Sequence, residues 1–192
     1  MLLFQQLDYW HGDNIAIISG LPGGAGGGIA VSSTDTFIEH GLKIPSLLPE
    51  TRQELNHLLG HVGSILRNPV DISQGRGNPS VVKKALEIVT ADPRIDLITV
   101  YEDIDLLLRF FPWQHIMEMN NIFMNLRQQQ SKPVVVVLPP GSAITEHKNI
   151  ERILCQNKVP VFPTVERAAK AMVNMKEYFQ FHKLRGKGKN HH

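Results

Sequence analysis

The chain is poor in several things at once. It has one cysteine, Cys155, in 192 residues, so no internal disulfide can form. That usage suits a reducing compartment, and a cytoplasmic location is expected. No apolar run approaches the ~20 residues of a membrane span. Met1-Leu2-Leu3-Phe4 is cut short by Gln5-Gln6, unlike a secretory leader. Aromatics make up only 7% of the chain, and few are placed to sandwich a flavin. Acidic residues are absent from the last ten positions, which hold Lys183, Arg185, Lys187 and Lys189. The formal charge of +2 therefore reflects a tail. Without those four, 16 basic and 18 acidic residues leave the body at −2. A body with no positive excess carries no footprint for nucleic acid.

What is abundant is glycine, concentrated in one place. Residues 20–30 read Gly-Leu-Pro-Gly-Gly-Ala-Gly-Gly-Gly-Ile-Ala. They follow the apolar run Ile15-Ala16-Ile17-Ile18 and precede a helical pattern ending near Glu39. A strand, a glycine loop and a helix in that order make an anion site. The first backbone N–H groups of a helix have no internal partners, and the helix dipole favours negative charge there. Glycine lets the backbone approach a phosphate closely. The pattern is not a dinucleotide fingerprint, because Ile29 and Val31 stand where a third small residue is required. No Gly-Lys-Ser/Thr follows, so it is not a Walker loop. From the pattern alone, a phosphate site and a ligand-free tight turn both remain open.

The 42% hydrophobic and 20% charged composition suits one globular domain. Strands are expected at residues 14–19, 42–44, 97–101, 134–138 and 161–162. Helices are expected over 29–39, from Pro49, from Asn78-Pro79, over 112–129 and 147–156, and from Thr164 to about Phe181. Asn78 is a good N-cap and Pro79 suits the first helical position. Residues 68–71 read as a loop, because Pro69 holds Asn68 extended. Short apolar strands alternating with amphipathic helices predict an α/β fold. The spacing fits a flavodoxin-like, doubly wound parallel five-stranded sheet of order 2-1-3-4-5, in three α/β/α layers. One domain is expected over residues 1–182, followed by a basic, disordered tail at 183–192. Ligands of such sheets sit at the carboxyl ends of the strands, where the glycine loop falls.

Further segments carry a resemblance. Arg67-Asn68-Pro69-Val70-Asp71 resembles the Asn-Pro-Val-Asp loop of the nucleoside-diphosphate-forming acyl-CoA synthetases, the acetate/succinate–CoA ligase superfamily. Gly26-Gly27-Gly28-Ile29-Ala30 falls where that family has its Asn-Gly-Gly-Gly-Pro-Gly turn. Residues 48–55 resemble its Leu-Ser-Glu-Glu-Thr-Arg segment, and Asp92-Pro93-Arg94-Ile95-Asp96 its Asp-Pro-x-Val-Asp segment. Lys132-Pro133-Val134 and Val159-Pro160-Val161-Phe162-Pro163 resemble its last two strands. The resemblance covers most of the chain but only one module of those enzymes, the counterpart of the carboxyl-terminal domain of the succinyl-CoA synthetase β subunit. The family's phosphohistidine motif and ATP-grasp region are absent from these 192 residues. The family's turn asparagine is replaced by Ala25, and Leu21-Pro22-Gly23-Gly24 looks inserted.

The resemblance implies that Gly26, Gly27, Gly28, Ile29 and Ala30 face a phosphoryl group, with Asn68, Asp71 and Ser73 on the rim of the site. It implies CoA-binding, phosphohistidine and ATP-grasp domains or subunits as partners, and a parent enzyme using CoA, ADP/ATP and Mg. By itself the domain is expected to bind no cofactor, to supply no catalytic residue and to be inactive. A homo-oligomer is left open. The rival readings are a non-catalytic sensing or assembly module, for example fused to an acetyltransferase, and a lone nucleotide- or flavin-binding domain.

Other residues have plainer readings. Asn68 and Asp71 cap turns readily through their side chains. Arg67 is expected to pair with a surface acid. Cys155 is expected to pack. His57 and His61 have the spacing of a helix-borne metal pair but no third ligand, and His147 lies near the active edge. Glu102, Asp103 and Asp105 are expected in a solvated loop, with a Mg²⁺ site as the alternative. Phe110, Phe111 and Trp113 are expected in the core or at an interdomain contact.

Overall fold

The computed structural model describes residues 12–20, 26–60, 65–129 and 132–187. Five parallel strands form one sheet in the order β2-β1-β3-β4-β5: β1 Ile15–Ser19, β2 Val70–Asp71, β3 Leu97–Tyr101, β4 Val134–Val137 and β5 Val161–Phe162. Among the described residues seven α-helices accompany them: α1 Gly26–Glu39, α2 Pro49–Leu59, α3 Pro79–Ala91, α4 Ile104–Phe110, α5 Trp113–Gln128, α6 Ile144–Gln156 and α7 Val165–Lys187. A sheet covered on both faces needs strands that are apolar throughout. Every residue of β1 and β4 is buried, and β4 is four valines.

Strand alternation sorts the core into two layers. Ile15, Ile17, Leu97, Val135 and Val137 pack with Phe37 of α1 and with Ala168, Ala169, Met172 and Met175 of α7. Ala16, Ile18, Ile98, Val100, Val134 and Val136 face the other way. They meet Leu55 of α2, Leu86 and Val89 of α3, Leu107 of α4, Ile116 and Phe123 of α5, and Leu154 of α6. Strand order reverses between β1 and β3, which places the switch point of the sheet beside the exit of β1.

The expected sheet order is found, but the identity of its second strand is not. Residues 42–44 make only an isolated bridge, Asn14 to Lys43, with Ile15 N donating to Lys43 O at 2.7 Å. The strand is Val70–Asp71, within the segment read as a loop, registered as Ile18–Val70 and Ser19–Asp71. Two residues carry too little periodicity to announce a strand. α1 begins at Gly26, earlier than residue 29, and α6 at Ile144, earlier than residue 147. α4 occupies part of the acidic segment expected to be a solvated loop. α7 runs to Lys187, past Phe181 and into the stretch read as tail. Residues 188–192 lie outside the described residues.

Local signals behave as the chemistry requires. Gly41 stops α1 at φ 79°, with Leu42 N donating to Phe37 O across the last turn. Asn78 caps α3, accepting from Ser80 N at 2.9 Å, with Pro79 in the first position. Thr164 Oγ1 accepts from Arg167 N at 3.1 Å at the start of α7. No helix among the described residues is long and apolar enough to cross a membrane.

Candidate functional site

The carboxyl edge of the sheet collects five helix starts. Four of them are closed by side chains of the chain itself. Asn78 closes α3 and Thr164 closes α7. Asp103 Oδ1 closes α4 by accepting from Leu106 N at 3.1 Å. Asp105, standing on α4, reaches across to α6. Its Oδ2 accepts from Ser142 N and Ser142 Oγ, each at 2.6 Å, and its Oδ1 accepts from Ala143 N at 2.9 Å. These bonds, led by the Ser142 hydroxyl, hold the Asp105 carboxyl down at about 2.

The fifth start is α1. Its first turn carries no acid. Between Gly20 and Ala30 no residue type has a side-chain oxygen or nitrogen with which to cap it. Gly27 is half-buried and Gly28 exposed, Ile29 is half-buried and Ala30 is buried. A Cβ added at Gly28 would meet nothing within 4 Å, and one at Gly27 would meet only Ile65 Cδ1 at 3.7 Å. Neither glycine has a positive φ. Their backbone is ordinary helix, so the turn itself does not demand glycine there. What glycine leaves at Gly28 is open space over the helix start.

Gly20 is different. Its φ of +73° and its contacts both require glycine, because a Cβ would lie 2.0 Å from Asp71 Oδ1 and 2.8 Å from Ser73 N. Asp71 Oδ1 accepts from Ser73 N at 2.9 Å, closing the turn into a 3₁₀ segment, Ser73–Gly75. Asp71 and Ser73 therefore stand at the exit of β2 beside Gly20 at the exit of β1. Asn68 is not with them. Its Oδ1 accepts from Ile17 N at 3.0 Å, and its Nδ2 donates to Ile15 O at 2.8 Å and Pro45 O at 2.9 Å. It completes the middle of β1 as a missing strand neighbour would, and both its donors are engaged in the backbone.

Sequence reading passed over Ser19. It pairs in register with Asp71 and continues the face of β1 that carries Ile15 and Ile17, the face α1 covers. Its hydroxyl is buried with no hydrogen-bond partner, as is that of Ser33 on the inner side of α1. The alternation of β1 could have placed Ser19 once β2 was known.

The other candidates resolve into structure. Glu102 is fully buried, not solvated. Its Oε1 accepts from Asn120 Nδ2 at 2.8 Å, and burial pushes its carboxyl up to about 8. Glu102 Oε2 and Asn120 Oδ1 lack partners while the acid is ionised. A protonated Glu102 carries no buried charge and has an O–H donor of its own. Burial raises the Tyr101 hydroxyl, with Asp103 adding to the effect. His147 Nε2 lies 3.2 Å from Leu138 O and His115 Nε2 lies 2.7 Å from Gly77 O, so both rings bond backbone. His57 is exposed, and His61 lies outside the described residues. Cys155 packs against the core. Phe111 and Trp113 also pack there, whereas Phe110 is exposed. Among the described residues no three His, Cys, Asp or Glu side chains are grouped to hold a metal.

Comparison with known proteins adds three findings. A family model described as the Ligase-CoA domain matches residues 15–183. The chain is 32% identical over 164 residues to the alpha subunit of the ADP-forming acetate–CoA ligase I of Pyrococcus furiosus, covering 84% of this chain. It spans only 32% of that subunit's length. Among solved structures, the dinucleotide-forming acetyl-coenzyme A synthetase 1 of Ca. Korarchaeum cryptofilum superposes with a TM-score of 0.71 in its apo form. The identity is 23%, over 98% of this chain and 38% of that one. The same enzyme in complex with phosphate and ADP gives 0.71 at 22% identity, over 100% of this chain and 38% of that one. A protein from Pyrococcus horikoshii also gives 0.71, at 22% identity over 91% of this chain and 37% of that one. At such identities the structures speak for the fold.

Proposed function

Because the chain belongs to the Ligase-CoA domain family, we propose that it works as one module of a nucleoside-diphosphate-forming acid–CoA ligase. In this reading the start of α1 receives the phosphoryl group in transit. The parent reaction is acyl-CoA with ADP and phosphate giving acid, CoA and ATP, run in either direction. A histidine on a partner domain carries the phosphoryl group, and nucleotide and CoA are bound by other domains. The chain supplies no nucleophile and is inactive alone.

The observation that carries this reading is the open start of α1. Among the described residues four neighbouring helix starts are closed by side chains, whereas α1 has no acid in its first turn, no capping group of its own between Gly20 and Ala30, and open space at Gly28. Amides and dipole already in place lower the energy of an anion without reorganising when it arrives. Phosphoryl transfer draws most of its catalysis from such positioning and electrostatics. The loss of the family's asparagine at Ala25 leaves contact through backbone N–H groups intact. The outer face of α1 fits a module that works against a partner. Val31 and Ile38, seven residues apart, are 53% and 54% exposed, and Ile65 beside Gly27 is 38% exposed.

The test is phosphohistidine formation in the enzyme assembled with its partner domains, comparing the native chain with Gly28→Val. The expected result is a large loss of transfer with the chain still folded and still bound to its partners. Unchanged rates of phosphorylation and dephosphorylation would reduce the glycine segment to a turn. Acyl-CoA formation by the purified chain alone would end the module reading itself.

A further inference from the structure

On the face of the sheet away from α1 lies a cavity of about 440 Å³, a volume within the range of small-molecule pockets. It sits between the last turn of α2, the 3₁₀ segment Ser73–Gly75 and its exit, the first turn of α3, and α5. One wall is apolar, made by Leu58, Pro79 and Val81. A Cβ on Gly75 would lie 2.9 Å from Val81 Cγ1, so the turn is packed down on that wall. Another wall is the ring of His115. Its Nε2 donates to Gly77 O at 2.7 Å, and Phe111 stacks on it at 4.7 Å with the planes 13° apart. The imidazole is thereby held in one orientation. Among the described residues no acid lines the cavity, and one lining residue, Arg76, is a permanent cation.

Arg76 is out of place on folding grounds. Its φ of 47° and ψ of 31° lie in the left-handed region, and Gly77 follows at φ 75°. A side chain other than glycine's is disfavoured there. The bond its backbone makes, from Arg76 N to Ser73 O at 3.1 Å, is open to any residue with an N–H. Its side chain is exposed, and among the described residues the guanidinium has no ion pair or hydrogen bond. No polar contact within the chain therefore accounts for a cation on this strained backbone. A residue held in such a conformation beside a cavity points to a ligand. The start of α3, on the same rim, is already closed by Asn78, so the guanidinium is the charge that the cavity offers.

We infer that this cavity binds a small organic carboxylate, with the carboxylate on the Arg76 guanidinium and a short apolar body against Leu58, Pro79 and Val81. The planar guanidinium presents paired donors that match the two oxygens of a carboxylate. One cation balances one negative charge, and the apolar wall favours carbon over further oxygens. Inorganic phosphate, with more charge and no apolar part, fits neither feature. The cavity lies across the sheet from α1, and nothing in this depends on the anion site there.

Sodium butyrate serves as the probe, titrated into the full-length native chain at fixed ionic strength and followed by amide NMR. Saturable shifts are expected at residues 74–78 and His115, in the millimolar range or tighter. Acetate, which lacks most of the apolar body, should bind severalfold more weakly. Butyramide, which lacks the charge, should not saturate. Arg76→Gly should remove butyrate binding and leave the melting temperature unchanged or raised, because glycine suits the left-handed backbone. Arg76→Lys keeps the charge without the fork and should bind severalfold more weakly than the native chain. Lys83→Gln, exposed on α3 and outside the cavity, should bind as the native chain does. Absence of saturable shifts with butyrate would overturn the inference. So would equal saturation by inorganic phosphate, since the cavity would then be a general anion patch, and so would butyrate binding indifferent to both Arg76 substitutions. Should Arg76→Gly unfold the chain, the comparison of butyrate with butyramide on the native chain decides by itself.

Discussion

The starts of α1 and α6 lie on the same edge of one sheet and solve the same electrostatic problem in opposite ways. Each helix leaves amides without partners and a positive dipole end. At α6 the chain brings its own anion, Asp105, bound to Ser142 and Ala143. A Cβ on Gly141 would lie 2.5 Å from Asp105 Oδ1, so the backbone is shaped around that carboxylate. At α1 the local sequence brings no anion, and eleven consecutive residues from Gly20 to Ala30 lack any capping group. A helix start with an internal anion has its ligand for life. One without remains available to an anion that comes and goes.

The largest effect expected from this contrast is on transfer. A valine at Gly28 stands in the space over the α1 amides and blocks close approach. Removing preorganised stabilisation of this kind costs on the order of 100-fold in rate. The Cβ that this substitution adds meets no atom within 4 Å, and the position needs no unusual φ, so thermal unfolding should stay within a few degrees of the native chain. Phosphohistidine formation in the assembled enzyme measures the first and calorimetry the second. A loss of both together would break the comparison, because α1 would then need Gly28 for folding.

Next in size is Glu102, the acid on this edge that closes no helix. Its folded pKa of about 8 lies above the ordinary 4.5. The folded chain therefore holds a proton that the unfolded chain releases between those values. The stabilisation is fully present below about pH 4.5 and is lost as pH rises through about 8. Its slope in that window is roughly 1.4 kcal/mol per unit. Glu102→Gln keeps a donor and an acceptor for Asn120 and cannot ionise. The variant should match the native chain near pH 5 and exceed it in stability at pH 8. Parallel denaturant titrations at the two pH values check this, and a constant difference between the chains would mean that Glu102 is charged in the fold.

A smaller effect is expected at the closed start. Asp105→Asn removes the ionised partner of Ser142 and Ala143, and Gly141→Ala pushes the same carboxylate off them. Both should lower the melting temperature measurably at pH 7 and leave transfer intact. As pH falls through about 2, the native chain should lose the advantage it holds over Asp105→Asn, because its depressed carboxyl then takes up a proton. Loss of transfer with retained stability would make Asp105 part of the working site and erase the distinction from α1.

The contrast was half legible in the sequence. The apolar runs of β1, β3 and β4 announced a doubly wound sheet, and the glycine segment could be placed at its carboxyl edge. The cap of α3 could be read because Asn78, Pro79 and the helix are adjacent in the chain. Asp105 could not be read as the cap of α6, since its partners lie 37 and 38 residues away. An acid beside two others looked like a solvated loop for the same reason. Asn68 was legible as a motif and not as an object. Its amide completes β1 across separations of 51 and 53 residues, and only the folded sheet shows which backbone groups lack a neighbour. Val70–Asp71 formed a strand because β1 offers it an edge, which no window of two residues can reveal.

The smallest effect separates access from conformation at α1 itself. Alanine at Gly28 adds one methyl group where nothing lies within 4 Å, on backbone that any residue adopts. Glycine is the poorer helix former by up to about 1 kcal/mol, chiefly through the freedom it has when unfolded. Gly28→Ala should therefore be neutral or stabilising, by at most about 1 kcal/mol, in a two-state denaturant titration. A methyl group is shorter than the branched side chain of valine and leaves most of the approach to the amides open. Transfer should fall far less than with Gly28→Val. The ordering glycine, alanine, valine in rate, set against flat or rising stability, is what an anion approaching backbone amides requires. If alanine instead destabilises the chain, Gly28 is held by something other than an empty space, and the openness of α1 loses its meaning.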